Sequence, residues 1–290
     1  MEHLNWYPGH MKKTGALIQE NLKLVDLVVE VIDARVPVSS RNPMLGTLIR
    51  DKRRVVVLNK IDLADAGETE RWAEALKSPQ GAVFSMNAAS GAGAAQLLKW
   101  LRRLQEEKNK ERQRQKPLRL MVVGVPNVGK SSLINRLVGK KSAPTGDKPG
   151  VTKGKQWLHL EGGLQLLDMP GILWPKFEDP TVGLHLAFCG IIKDEIMDLT
   201  ELAMKLLLFL RAEYPGLLAT RYKLSESETT VGEALDTMEA IGRKRGFLLS
   251  GGRIDYARTA RALLDEFRTG VVGKITIERT RDIAHEMEES

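Results

Sequence analysis

The run Gly124-Val125-Pro126-Asn127-Val128-Gly129-Lys130-Ser131 fits the pattern G-x-x-x-x-G-K-[ST], and the chemistry that spacing offers is phosphate binding. Its two glycines let successive backbone N–H groups turn inward and form an anion nest at a helix N-terminus. In that arrangement Asn127, Val128, Gly129 and Ser132 line the nest, Lys130 reaches the β- and γ-phosphates, and the Ser131 hydroxyl holds Mg²⁺. A second constellation, Asn59-Lys60-Ile61-Asp62, fits N-K-x-D. Guanine presents N1–H and an exocyclic NH₂ as adjacent donors, and one ionised carboxylate, Asp62, can accept both. Adenine has an acceptor at N1 and would leave that carboxylate facing a lone pair. Asn59 and the Lys60 stem would brace the loop and the flat face of the base. Asp168-Met169-Pro170-Gly171 fits D-x-x-G; Asp168 would meet Mg²⁺ through water and the Gly171 N–H would meet the γ-phosphate.

Each motif needs an element that ends where its chemistry begins. Leu118–Val123 is an apolar run of strand type, and Leu133 and Leu137 stand at helical spacing beyond the loop. Asp26–Asp33 and Arg54–Leu58 read as buried parallel strands, nearly continuous in apolar residues. The second of them ends in N-K-x-D. Ala82–Phe84 reads as a third strand ending in Ser85-Met86-Asn87, where a backbone N–H could meet guanine O6. A helix over Ala94–Gln105 runs out into the basic segment Gln105–Lys116, read as a helix end and linker in preference to an RNA contact. Ser142–Thr152 is a polar, Gly/Pro-punctuated loop suited to closing over Mg²⁺ and the γ-phosphate, with Thr152 as the threonine and Thr145 as its competitor. Strands over Lys155–Leu160 and Leu164–Leu167 follow, joined by Glu161-Gly162-Gly163 as a hairpin turn.

From Thr181 the pattern is helical. Asp194–Leu210 carries one broad apolar face; Thr229 or Thr230 can cap a helix running to Ile241; the last helix covers Asp255–Arg268. Arg258, Arg261 and Arg268 lie on the polar side of that last helix, near Arg243-Lys244-Arg245. These six read as an RNA-facing surface, a plain solvated face being the alternative. The tail after Lys274 is acidic and expected to be poorly ordered at its end.

Composition bounds the reading. A net charge of +7 and a pI of 9.4 favour a polyanionic partner. One cysteine, Cys189, excludes an internal disulfide framework and suits a reducing cytosol, so a cytoplasmic location is expected. Residues 1–13 lack the apolar core of a signal peptide, and the apolar run Leu202–Leu210, broken by Lys205, is too short to span a bilayer.

The order of the motifs is the diagnostic feature. Ras-like GTPases run phosphate loop, switch threonine, D-x-x-G, N-K-x-D, S-A-K; here the last two come first. Closing the old termini through Gln105–Lys116 and cutting elsewhere keeps the strands and changes only the connections. This order, with the opening Trp6-Tyr7-Pro8-Gly9-His10-Met11, resembles the YlqF/RbgA family of circularly permuted ribosome-assembly GTPases along nearly the whole chain. The fold class is therefore α/β: a Ras-like, circularly permuted P-loop GTPase domain over 1–178 and a small, mostly α-helical RNA-binding domain over 179–290. The resemblance implies GTP hydrolysis with Mg²⁺, stimulated by a late precursor of the large ribosomal subunit and its rRNA, by a protein that is monomeric off the ribosome and needs no membrane.

Two further roles follow from resemblance. Ras-type enzymes place a water-orienting glutamine directly after D-x-x-G, but Ile172 stands there and cannot hydrogen-bond water. The family's proposed catalytic group is the N-terminal histidine, here His10, which is otherwise a structural or RNA-contacting residue. Asn127 resembles the phosphate-loop asparagine that coordinates K⁺ in potassium-stimulated GTPases; the alternative is that it satisfies loop backbone. Intrinsic turnover should be slow, on the order of 10⁻⁴ to 10⁻² s⁻¹. Because the chain passes from Gly171 straight into the C-terminal part, nucleotide state could reposition that part. The rivals are a kinase or ATPase, which Asp62 argues against, and a GTP switch acting on a protein partner without an RNA role.

Overall fold

The computed structural model describes residues 18–49, 52–79, 81–110, 115–139, 156–168, 179–194 and 197–282. They form two compact units, 1–180 with 276–290, and 181–275. The first holds a six-stranded sheet of β1 (Leu27–Asp33), β2 (Arg53–Asn59), β3 (Ala82–Met86), β4 (Leu118–Val123), β5 (Gln156–Leu160) and β6 (Leu164–Asp168), in the order β3-β2-β1-β4-β6-β5. All neighbours are parallel except β5 with β6. All seven residues of β1 are buried, as a strand covered on both faces requires. That burial includes Glu30, whose carboxylate is met by Arg41 at 3.3 Å and Arg54 at 3.4 Å.

The sheet splits into two sequence halves. Strands β1–β3 carry the base motifs and β4–β6 carry the phosphate motifs, and they join where β1 pairs with β4 (Leu27 opposite Leu120). The chain crosses from β3 to β4 through a helix over Ala94–Asn109, four residues longer than the sequence suggested. The predicted join is fastened to the sheet: Lys108 Nζ donates to the Asp26 carboxylate and to the Pro117 carbonyl at 2.9 Å, and Gln105 Nε2 donates to the Lys116 carbonyl at 2.8 Å. One cluster on the sheet gathers Val28, Met121, Val123 and Leu167; another gathers Ile32, Val56, Leu58 and Trp72.

In the second unit, helices over Leu199–Glu213, Ala234–Arg245 and Tyr256–Arg268 pack on one another. Leu206, Leu210, Met238, Leu263 and Phe267 are among the side chains this buries. Cys189 is buried as expected.

The domain boundary differs from the sequence reading in one respect. Thr276–Asp282 groups with the first unit, where Ile277 N donates to the Arg35 carbonyl at 2.8 Å and Trp72 Nε1 donates to the Glu278 carbonyl at 2.7 Å. Ile277 is buried. These contacts span more than 200 residues of chain, so no local pattern announces them.

Candidate nucleotide-binding site

The phosphate loop leaves β4 at Val123 and crosses the end of β1. Gly124 passes so close to β1 that a Cβ would stand 2.4 Å from the Val31 oxygen. A helix over Lys130–Val138 begins after Gly129, at φ 98° and ψ 23°. The first N–H groups of that helix lack intrahelical partners and carry the positive end of its dipole. Lys130 is buried, and its Nζ donates to the Val125 carbonyl at 2.7 Å, drawing the ammonium over the loop. Ser131 and Ser132 follow half-buried on the first turn, Val128 is buried, and Asn127 is exposed with φ 58°.

Asn59 joins the two halves of the site. It is buried; its Nδ2 donates to the Val128 carbonyl at 2.7 Å and its Oδ1 accepts from the Ala88 N–H at 2.9 Å. One side chain thus ties the end of β2 to the phosphate loop and to the turn after β3. Beyond it, Lys60 takes a left-handed backbone, φ 63°, with its Nζ 3.0 Å from Asp33 Oδ2. Ile61 N donates to the Met86 carbonyl at 3.4 Å. Asp62 is exposed, and its carboxylate has no hydrogen-bond partner among the described residues. The two motifs therefore converge on one sheet edge with an unengaged carboxylate at the base end and a nest of N–H groups at the phosphate end.

The third base motif, Ser85-Met86-Asn87, spans the end of β3 and the start of the turn beyond it. Ser85 and Met86 lie inside β3, opposite Leu58 and Asn59, and Met86 is fully buried. The turn starts only at Asn87, whose Oδ1 accepts from the Ala89 and Ser90 N–H groups at 2.9 and 3.0 Å.

On the phosphate side β6 ends at Asp168, opposite Val122 of β4, so its backbone reaches the same edge as the phosphate loop. A serine hydroxyl at a helix start and an aspartate ending the neighbouring strand are oxygen donors that suit a hard cation such as Mg²⁺, which on binding would neutralise charge on the β- and γ-phosphates. His10, Thr145, Thr152, Gly171 and Ile172 lie outside the described residues.

The six basic candidates of the second unit divide. Arg243 pairs with Glu239 at 2.5 Å, Lys244 approaches Glu228 at 3.9 Å, and Arg245 pairs with Glu266 at 2.8 Å, all on exposed or half-exposed surface. Arg258 stacks 4.5 Å from the centroid of Phe247, and Arg261 is exposed. Arg268 does not belong with them. Its guanidinium binds both Asp194 oxygens at 2.7 and 2.8 Å and the carbonyls of Ala187 and Phe188 at 2.8 and 3.1 Å. It is a structural arginine, because its donors are spent on the protein. Arg268→Ala should cost about 3 kcal/mol by leaving Asp194 and two carbonyls without partners, seen as a lowered melting temperature, while the salt dependence of RNA binding stays unchanged.

Residues 119–235 match the 50S ribosome-binding GTPase family. That segment begins at β4 and contains Gly124–Ser131 and Asp168–Gly171, while Asn59–Asp62 lies upstream of it. A ribosome biogenesis GTPase A from Priestia megaterium is 45% identical, covering 95% of this chain and 96% of that one. The chain belongs to the ribosome biogenesis GTPase A family. Within that family, the Bacillus cereus protein is 44% identical over 99% of this chain and 97% of its own. Mitochondrial ribosome-associated GTPase 1 of Mus musculus is 35% identical over 94% and 90%. A GDP-bound structure of YlqF superposes with a TM-score of 0.64 at 27% identity, covering 92% of this chain and all of that one. A ribosome biogenesis GTPase A binds guanine nucleotide and hydrolyses GTP; the α/β fold here is the permuted Ras-like one that the motif order implied.

Proposed function

We propose that the protein binds GTP–Mg²⁺ across the edge of the first unit, docks on a late precursor of the large ribosomal subunit, and leaves after hydrolysis. The observation that carries the nucleotide part is the Asn59 bridge to the Val128 carbonyl, which brings motifs 69 residues apart within reach of one ligand. Asp62 reads the base, the Asn87 turn closes its O6 edge, and Asn127–Ser132 hold the phosphates. Ser131, Thr152 and Asp168 would hold Mg²⁺, and Gly171 would sense the γ-phosphate. The names of the relatives support the ribosomal partner.

On the second unit, Arg243, Lys244, Arg245, Arg258 and Arg261 form the RNA-facing set. The Arg243–Glu239 and Lys244–Glu228 pairs lie largely in solvent and are worth little, so phosphates can replace those carboxylates at small cost, whereas the Arg245 partner Glu266 is mostly buried and also held by Arg221. Phosphate contacts of this kind make affinity fall steeply with salt. In this reading the protein acts in the cytoplasm as a monomer when off the particle.

His10 is proposed to orient the attacking water, since Ile172 cannot, and Asn127 to coordinate K⁺. Large-subunit particles should raise the GTPase rate well above the slow intrinsic one, and His10→Ala should remove most of that stimulation while leaving GTP affinity in place. Rates that particles leave unchanged would overturn the assembly reading and favour a protein partner. A fully stimulated His10→Ala would overturn the catalytic assignment alone, and equal rates in K⁺ and Na⁺ would remove the K⁺ role.

A further inference from the structure

Behind the base motif lies an ionic cluster centred on buried Asp33, a residue that none of the sequence motifs contains. Asp33 closes β1 opposite Asn59 of β2 and is fully buried. Its Oδ1 accepts from Arg35 N at 3.1 Å and Arg35 Nε at 2.9 Å; its Oδ2 accepts from Arg35 Nη2 at 2.8 Å and meets Lys60 Nζ at 3.0 Å. Burial alone would raise the Asp33 carboxyl, but Arg35 and Lys60 override it and hold the group far below the usual carboxylate range. The carboxylate is therefore held in its charged form at neutral pH by its two cationic partners, and one of them, Lys60, belongs to N-K-x-D.

That geometry answers a question about Lys60. A lysine at φ 63° is in a conformation that non-glycine residues avoid, and it persists only where its surroundings fix it. Asp33 supplies the fixing contact on the side-chain side, and Ala34 N donating to the Asn59 carbonyl at 2.8 Å holds the backbone side. A lysine ammonium tethered in this way keeps its aliphatic stem in one place, as a platform beside a flat base requires. A free ammonium would instead swing toward water or phosphate.

The loop carrying Asp33 is itself held by the C-terminal strap, Thr276–Asp282. Ile277 N donates to the Arg35 carbonyl, and the Glu278 carboxylate accepts from Val38 N at 2.6 Å, from Ser39 N at 3.0 Å and from the Ser39 hydroxyl. Thr276 Oγ1 accepts from Asp65 N at 3.0 Å, at the start of the helix that follows N-K-x-D. The strap thus grips the chain on both sides of the base motif.

We propose that Asp33 is a positioning residue for nucleotide recognition, setting Lys60 against the base, and that the strap through Glu278 keeps Asp33 in register. The inference rests on reading Asn59–Asp62 as the guanine loop. If Asp33 acts through Lys60, the losses of the two residues do not add. GDP affinity is measured by fluorescence titration on the full-length protein and on Asp33→Asn, Lys60→Ala, the double variant and Asp62→Asn. Each of the first two should weaken GDP binding about tenfold, and the double variant also about tenfold rather than a hundredfold. A hundredfold loss in the double variant, or full affinity in Asp33→Asn, overturns the proposal. Should Asp33→Asn fail to fold, Glu278→Gln with Lys60→Ala makes the same cycle without touching buried Asp33, and additive losses there overturn it equally. An Asp62→Asn protein that binds GDP unimpaired would instead sink the guanine-loop reading itself.

Discussion

Replacing Asp62 with asparagine is expected to convert the site from guanine to xanthine. In the proposed site the carboxylate would accept two charge-assisted hydrogen bonds from guanine, whereas the amide could accept only one while presenting an NH₂ to the guanine NH₂. The loss should be about 3–4 kcal/mol, or on the order of 10²–10³-fold in Kd for GTP. Xanthine carries a carbonyl where guanine carries that NH₂, so the asparagine NH₂ gains an acceptor and XTP binding should rise. The setting makes this a clean experiment. Asp62 is exposed and engages no partner among the described residues, so its removal disturbs no contact of the folded protein there. Competition of GTP, XTP and ATP against a labelled nucleotide decides it: a variant that still prefers GTP would remove Asp62 from the base site.

Much of this was legible in the sequence because it is local. The strands over Leu27–Asp33 and Leu118–Val123 announce themselves as apolar runs, and the Gly-Lys-Ser turn announces the helix that starts at Lys130. Helix starts in the second unit were harder. The helix expected from Asp194 begins at Leu199, since the Asp198 carboxylate accepts from Thr200 N and Glu201 N and caps it there. The segment expected as one helix capped by Thr229 or Thr230 is two. Ser225 and Glu228 form a capping box for Glu226–Thr230, and Glu233 with Asp236 begins Ala234–Arg245. Both cases are competitions between nearby polar side chains for the same backbone N–H groups, which spacing alone does not rank.

The remaining surprises are long-range. Arg268 shares a helix with Arg258 and Arg261 and looks like them until Asp194 and the carbonyls of Ala187 and Phe188 come into reach. Asp33 ends an apolar strand as many aspartates do, and its partner Lys60 is found only through the pairing of β1 with β2. Glu278 sits in what reads as a plain acidic tail, yet its carboxylate binds loop N–H groups 239 and 240 residues away. Motif chemistry is written in adjacent residues, whereas the framework that aims it is distributed along the whole chain.

Gly129→Ala should abolish tight nucleotide binding while leaving the protein folded. Gly129 has φ 98°, where an L-residue is strained by roughly 1–2 kcal/mol. That strain is the smaller part. A Cβ at this position would stand 2.2 Å from Asn59 Nδ2, so Asn59 must move, and it is the side chain that holds both the Val128 carbonyl and the Ala88 N–H. Displacing it leaves two buried backbone groups unpaired, at about 1–3 kcal/mol each, and uncouples the phosphate loop from the base motif. The expected result is a loss of GDP and GTP affinity of at least ~100-fold with secondary structure retained by circular dichroism. Gly139 provides the control. It ends the same helix at φ 72°, but a Cβ there meets nothing within 4 Å. Gly139→Ala should therefore show the backbone strain alone, a melting temperature lowered by a few degrees with nucleotide affinity near native. Equal binding losses in the two variants would mean that strain in the helix, and not the contact with Asn59, governs the site.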